Sequence, residues 1–393
     1  FTTMDAGYFL GIAGHLKSGK TLEDYQSLRV FPTKQIQDPS IKSPGRSAPL
    51  LSKVIAFFAK DASPKELLIA GNKMLPYTAA VTAFAIFIAF GVTGYWMEGS
   101  VAAAGGGLSI VYYWRSAIGR IDTDQLNLGL MYFMFAMVLC AGSAKKVKWG
   151  IFFTFIAALS ARLFMSWYDK SELIIMALIA FCWLIIVKSK DWRRLIVFSA
   201  IFILLSGVGL INPFATVYVQ TDFGFHNFVF NNVISTVTEA SRIEFLEVLR
   251  RMTGSILVST FCLLGMIVWA IRHPIFAIAY APLAGFAMLS VVLGNRALFY
   301  SAPFFWFGGA YLAVLIMRIC VHLFFQRLEA FKQIISTSAS ATICAILILF
   351  IWVNSPVNQL ARPSIPVPII KALVELKSIA GQEKSVLACW WDY

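Results

Sequence analysis

Two carboxylates stand two residues apart in Asp122-Thr123-Asp124, just beyond an apolar run that ends Tyr113-Trp114-Arg115. Acids at i and i+2 in a turn can face one hard divalent cation, and oxygen donors of this kind suit Mg2+ or Mn2+. The plain alternative is a solvated loop that happens to carry two acids. Other candidate groups stand singly. Asp5, in Thr3-Met4-Asp5-Ala6-Gly7-Tyr8, is a metal-ligand type of acid or a helix N-cap. Glu239 closes Thr236-Val237-Thr238-Glu239, which alone reads as a hydroxyl-capped turn with an acid at the next helix start. Arg296, in Gly294-Asn295-Arg296, either snorkels to headgroups or binds a phosphate. Trp390-Trp391-Asp392-Tyr393 sets two adjacent indoles beside an acid and a phenol, a good pocket for a small polar side chain. The core of a small domain is its bland reading. His15, His226, His273 and His322 show no metal spacing, and the cysteines form no CxxC and no even-numbered external set. No Ser or Cys nucleophile motif is present.

These groups must be held by a membrane-embedded frame. Hydrophobic residues make up 59% of the chain and charged ones 13%, the balance of an all-α polytopic membrane protein. Ten apolar stretches are long enough to span or nearly span: 75–96, 99–116, 125–142, 149–167, 173–187, 195–212, 252–271, 274–293, 299–317 and 337–354. A net charge of +13 raises nucleic acid as a partner, but the distribution argues against it. Lys145, Lys146 and Lys148, then Lys188, Lys190, Arg193 and Arg194, then Arg272, then Arg318, Arg327 and Lys332, fall in alternate loops, as the positive-inside rule requires.

Setting the basic loops inside puts Asp5, the loop 115–124, the loop 213–251, Arg296 and the tail from Asn354 on the outer side together. The chain divides into a first external loop (1–74), a multi-span membrane domain (75–354) with external loops 113–124 and 213–251, and the start of a C-terminal external domain (355–393). Arg242–Arg250 mixes apolar and charged residues at helical spacing and is expected to lie along the interface. The tail carries Pro356, Pro363, Pro366 and Pro368, an extended linker. With no initiator Met and a motif at its very end, the chain reads as a fragment lacking a first membrane helix and most of a C-terminal domain. No internal repeat is evident.

Taken as a set, these motifs resemble the catalytic subunit of oligosaccharyltransferase. Trp390-Trp391-Asp392-Tyr393 matches the first four letters of its WWDYG motif. Arg115 with Asp122-Thr123-Asp124 looks like its second external DxD and the arginine before it. Thr236-Val237-Thr238-Glu239 is similar to the TIxE motif of prokaryotic members. Asp5 looks like the acid that ends the first DxD, and Arg296 like the arginine facing the lipid diphosphate. The order matches across essentially the whole chain. Two departures stand out. Thr3 replaces the leading acid of the first DxD, and four membrane segments separate Asp124 from Glu239 where the family usually has six.

The resemblance implies a GT-C-type fold and transfer of a glycan from a polyprenyl diphosphate to the Asn of Asn-x-Ser/Thr. It implies a catalytic role for Asp5, Arg115 and Glu239, and Mn2+ or Mg2+ held by Asp5, Asp122, Asp124 and Glu239. Arg296 would contact the lipid diphosphate. Trp390, Trp391 and Asp392 would bind the Ser/Thr of the acceptor. Partners would be the lipid-linked oligosaccharide, the acceptor polypeptide and the membrane. A single-subunit prokaryotic enzyme with its site on the periplasmic side is the form expected. A different GT-C glycosyltransferase using a polyprenyl-phosphate sugar would not need the WWDY pocket. A transporter would place its polar residues at mid-membrane.

Overall fold

The computed structural model describes residues 4–21, 48–168, 171–207, 244–293, 298–324 and 329–356, with isolated positions at 368, 371, 372 and 375. Among these residues the chain is helical throughout, with one short π-helical turn and no strand. The helices are α1 (Met4–Lys17), α2 (Leu50–Phe58), α3 (Pro64–Gly91), α4 (Trp96–Leu108), α5 (Ile110–Ser116), α6 (Asp124–Ser143) and α7 (Val147–Tyr168). Then follow α8 (Ser171–Leu184), the π turn Ile185–Ser189, α9 (Trp192–Ser206), α10 (Phe245–Thr253), α11 (Ile256–Arg272), α12 (Pro274–Leu293), α13 (Leu298–Phe324) and α14 (Glu329–Asn354).

Local chemistry sets several boundaries. Ser63 caps α3 by accepting from the Glu66 N–H, with Pro64 at the first helical position where no amide partner is needed. Asp191 caps α9 by accepting from the Arg193 and Arg194 amides. In the bundle, α3 packs on α4 and α6; α6 packs on α7, and α7 on α9; α4 packs on α13 and α14, and α13 on α11. At the centre Phe90 stacks on Phe307 with ring centroids 4.3 Å apart, and Phe304, Tyr132 and Tyr280 close around it. The two phenols satisfy their hydroxyls on backbone carbonyls, Tyr132 on Tyr300 (2.8 Å) and Tyr280 on Ala89. These two buried phenols thus keep a hydrogen bond on leaving water.

The fold is that of a multi-pass membrane protein. Among the described residues, five helical segments are long and apolar enough to cross a bilayer: α3, α6, α7, α13 and the Lys332–Asn354 part of α14. A sixth arises if α10 and α11, bent by 91°, are taken as one broken span. The remaining expected spans correspond to shorter helices. The stretch 99–116 is not one helix but two, broken at Ser109, whose backbone is extended. Its hydroxyl donates to the Gly106 carbonyl (2.9 Å) and lies 3.4 Å from the Tyr112 amide, which it caps. Just before the break, Gly105 and Gly106 let Trp306 and Pro303 of α13 sit where a Cβ would stand. Of the amphipathic stretch expected at 242–250, the described part runs into α10, which begins at Phe245, and Gly254, at φ 84°, makes the sharp turn into α11.

The α11–α13 crossing is closed by glycines. A Cβ on Gly308 would stand 2.3 Å from the Cys262 carbonyl oxygen and 2.8 Å from the Met266 nitrogen. Backbone cannot swing aside as a side chain can, so Gly308→Leu is expected to force the two helices apart. Overpacking costs roughly 1–3 kcal/mol and sometimes more. A large fall in melting temperature, or loss of folded protein on gel filtration, is the expected result. A normal melt would show that this crossing is not as tight as described.

Candidate functional site

The acidic loop joins two helices at one end of the bundle. Helix α5 ends with Arg115, and α6 begins at Asp124. Between them Gly119, at φ 87°, turns the chain in a conformation that favours glycine, and its N–H donates to Asn72 of α3 at 2.8 Å. Ile121 is fully buried and packs into space left by Gly71 of α3, where a Cβ would lie 2.4 Å from its Cδ1. The loop is therefore pinned on both its polar and its apolar side before the acids are reached.

Arg115 and Asp124 form a buried ion pair. Arg115 Nη1 donates to Asp124 Oδ2 at 2.5 Å, with side-chain exposures of 8% and 2%. The other oxygen, Oδ1, accepts from the Asn127 amide at 3.2 Å, one helical turn further on. The guanidinium lies over the Phe299 ring, 5.4 Å from its centroid, so α13 supplies a face for the cation as well. Asp122 is also buried, and its Oδ1 accepts from the Thr123 N–H at 2.6 Å and faces the Thr123 hydroxyl at 3.2 Å. The solvated-loop reading of the two acids does not hold, because both are more than nine-tenths buried.

The loop's backbone is held from several helices. Trp167, at the end of α7, donates its indole N–H to the Thr123 carbonyl at 2.6 Å. The Tyr112 hydroxyl donates to the Gln125 carbonyl at 2.6 Å, and the Gln125 side chain donates back to the Arg120 carbonyl at 2.8 Å. Carboxylates fixed this way keep their geometry without reorganisation when a charge approaches.

Of the residues singled out by sequence, the structure brings Arg115, Asp122 and Asp124 together on one turn. Asp5 lies on the backbone of α1. Glu239, Arg296, Trp390, Trp391 and Asp392 lie outside the described residues. Among the described residues no three His, Cys, Asp or Glu side chains converge. Of the four acids expected around a cation, only Asp122 and Asp124 have described side chains, and their buried oxygen donors fit a hard ion such as Mn2+ or Mg2+. Sequence reading missed Asn127, Trp167, Tyr112 and Phe299. A polar residue one turn into an apolar helix was the signal for Asn127. The other three look like ordinary membrane aromatics.

The fold and site together define a class by architecture, a multi-pass helical bundle that holds buried, oriented acids in a loop between two helices. Comparison with known proteins adds to this. No protein-family model matches the chain. Two curated proteins of Campylobacter jejuni, both named undecaprenyl-diphosphooligosaccharide–protein glycotransferase, are 26% and 25% identical to it over 352 residues. Each match covers 76% of this chain and 47% of the relative, so the chain spans about half the length of the curated relatives it matches. Crystal structures of the Archaeoglobus fulgidus oligosaccharyltransferase share its fold. The apo form gives a TM-score of 0.56 at 13% identity, covering 96% of this chain and 54% of that one. A form tethered to an acceptor peptide containing an NVT sequon gives the same TM-score and identity, covering 94% and 53%. The chain is thus similar in sequence to the Campylobacter glycotransferases and in fold to the archaeal oligosaccharyltransferase.

Proposed function

We propose that this chain is the catalytic membrane portion of an oligosaccharyltransferase. It would transfer a glycan from a polyprenyl-diphosphate carrier to the side-chain amide of Asn in Asn-x-Ser/Thr. The observation that carries this reading is the buried Arg115–Asp124 pair beside Asp122, at the position that resembles the family's second external DxD. Similarity to the Campylobacter glycotransferases over 76% of the chain supports it.

The chemical difficulty is the nucleophile. An amide nitrogen shares its lone pair with the carbonyl, and the same resonance gives the peptide bond a rotation barrier of about 18–20 kcal/mol. Asp5 and Glu239, accepting hydrogen bonds from the two amide N–H atoms, would weaken that conjugation. Asp122 and Asp124 would complete the metal ligands. A divalent cation held by these carboxylates would supply Lewis-acid stabilisation of the diphosphate leaving group. Arg115 orients Asp124. Arg296 would pair with the diphosphate, for which a guanidinium is well matched. Trp390, Trp391 and Asp392 would hold the Ser/Thr hydroxyl and so place the Asn.

In this reading the chain has about ten membrane spans, counting the shorter helices. Residues 1–74 form the first external segment, 75–354 the membrane domain and 355–393 a C-terminal external segment. The site faces the periplasm from a prokaryotic inner membrane, and one subunit suffices.

The test is transfer from a lipid-linked oligosaccharide to an Asn-x-Thr peptide by the purified full-length protein. Chelation should stop transfer, and MnCl2 or MgCl2 should restore it. Asp122→Ala should raise the Mn2+ concentration needed about tenfold or remove activity altogether. Undiminished transfer in excess chelator would refute the metal site. Absence of any transfer to Asn from polyprenyl-diphosphate donors would refute the function.

A further inference from the structure

The residue between the two acids is held by a helix that contributes no acid. Trp167 stands in the last turn of α7 and is 4% exposed. Its indole N–H reaches the Thr123 carbonyl at 2.6 Å. That carbonyl belongs to the peptide linking Thr123 to Asp124. The same residue's N–H and hydroxyl face Asp122 Oδ1 at 2.6 and 3.2 Å. Thr123 is thus grasped from both ends, by Asp122 on one side and by Trp167 on the other.

The alternative holders of this carbonyl are weaker. The first-turn amides of Leu126 and Asn127 approach it at 3.3 Å, and Thr123 makes no side-chain cap to α6. A carbonyl has two acceptor sites, and the indole makes the shortest contact with it among the described residues. Nor is the bond simply what any buried indole must make. Trp306 is similarly buried, and its N–H has no hydrogen-bond partner among the described residues.

We infer that Trp167 is a positioning residue for the acid pair, its indole N–H fixing the Thr123–Asp124 peptide so that Asp122 and Asp124 present their carboxylates in one orientation. Fixing that peptide sets ψ of Thr123 and φ of Asp124. These angles decide where the Cα–Cβ bond of Asp124 points relative to Asp122. The inference rests on the reading of Asp122 and Asp124 as the working carboxylates.

The experiment uses the full-length protein with two variants of Trp167 and, in parallel, Asp122→Asn and Asp124→Asn. Trp167→Phe keeps an aromatic ring and removes the donor. Trp167→His keeps a ring N–H at shorter reach. Each protein is melted, titrated with MnCl2 alone by electron paramagnetic resonance, and assayed for transfer. Trp167→Phe should raise the Mn2+ midpoint about tenfold and lower kcat about tenfold, with KM for the peptide within about twofold. Trp167→His should recover part of both losses. A folded Trp167→Phe protein that binds Mn2+ and turns over like wild type overturns the inference, and so does a folded His variant no better than Phe. Loss of the folded transition in both Trp variants assigns Trp167 to the core and also overturns it. If the two Asn variants keep Mn2+ binding and turnover, the reading of the acids fails instead, whatever Trp167 does.

Discussion

Replacing Arg115 with leucine should both destabilise the protein and silence it. Arg115 donates to Asp124 in a site where both side chains are at least nine-tenths buried. Removing one partner of a buried ion pair leaves a charge that has already lost its water, and typically costs about 3–5 kcal/mol. Asp124 then keeps its charge at that cost or takes up a proton. Either way it no longer serves as an oriented carboxylate. The Asn127 amide, 3.2 Å away, is an uncharged donor and cannot supply the countercharge that the guanidinium provides. A clear drop in melting temperature and loss of glycan transfer are expected together.

A double variant separates the two effects. Arg115→Leu combined with Asp124→Leu removes both charges, and replacing a buried pair by apolar groups is often neutral or stabilising. Its melting temperature should recover most of the loss, while transfer stays absent because the acid is gone. If the double variant regained activity, Asp124 would be structural only. If Arg115→Leu alone melted and worked normally, the pair would contribute nothing to either.

The parts of this site that are close in sequence were legible without the structure. Arg115, Asp122 and Asp124 lie within ten residues, and their residue types alone announce charge chemistry at the end of an apolar run. An expected sidedness also follows from the Lys and Arg clusters, by a rule that needs no tertiary information. What composition could not show is the depth of burial, which turns a loop with two acids into a buried and oriented pair. That burial comes from Ile121 docking on Gly71, and from Phe299 and Trp167, which are distant in sequence and chemically ordinary. The break at Ser109 was invisible for a related reason. Hydropathy averages over a window, and a serine amid alanines and glycines barely lowers it. The extended backbone there depends on Trp306 and Pro303 of α13 packing against Gly105 and Gly106. The bend at Gly254 was half legible. The change from an amphipathic to a uniformly apolar stretch marked the boundary, but the 91° angle is set by packing that no residue pattern announces.

Glu239→Gln should nearly abolish turnover while leaving the protein as stable as wild type. Glu239 resembles the acid of the TIxE motif and lies outside the described residues, so this prediction stands on sequence and chemistry. Gln has the same shape but is neutral. It offers an N–H where the substrate amide needs an acceptor, and it is a poorer ligand for a hard cation. Both proposed tasks of the carboxylate, accepting from the acceptor Asn and binding metal, fail at once. Positioned acid–base groups typically contribute about 10²–10⁴ in rate, and a loss of that order in kcat is expected. Binding of the lipid-linked donor should persist, because the diphosphate contact is assigned to Arg296. The measurement is single-turnover transfer to an Asn-x-Thr peptide, with donor binding and melting temperature followed on the same sample. An unchanged melt with lost kcat separates Glu239 from Arg115, whose removal should damage both. Transfer within a few-fold of wild type by Glu239→Gln would remove Glu239 from the site. The second acid facing the amide would then have to come from elsewhere in the chain.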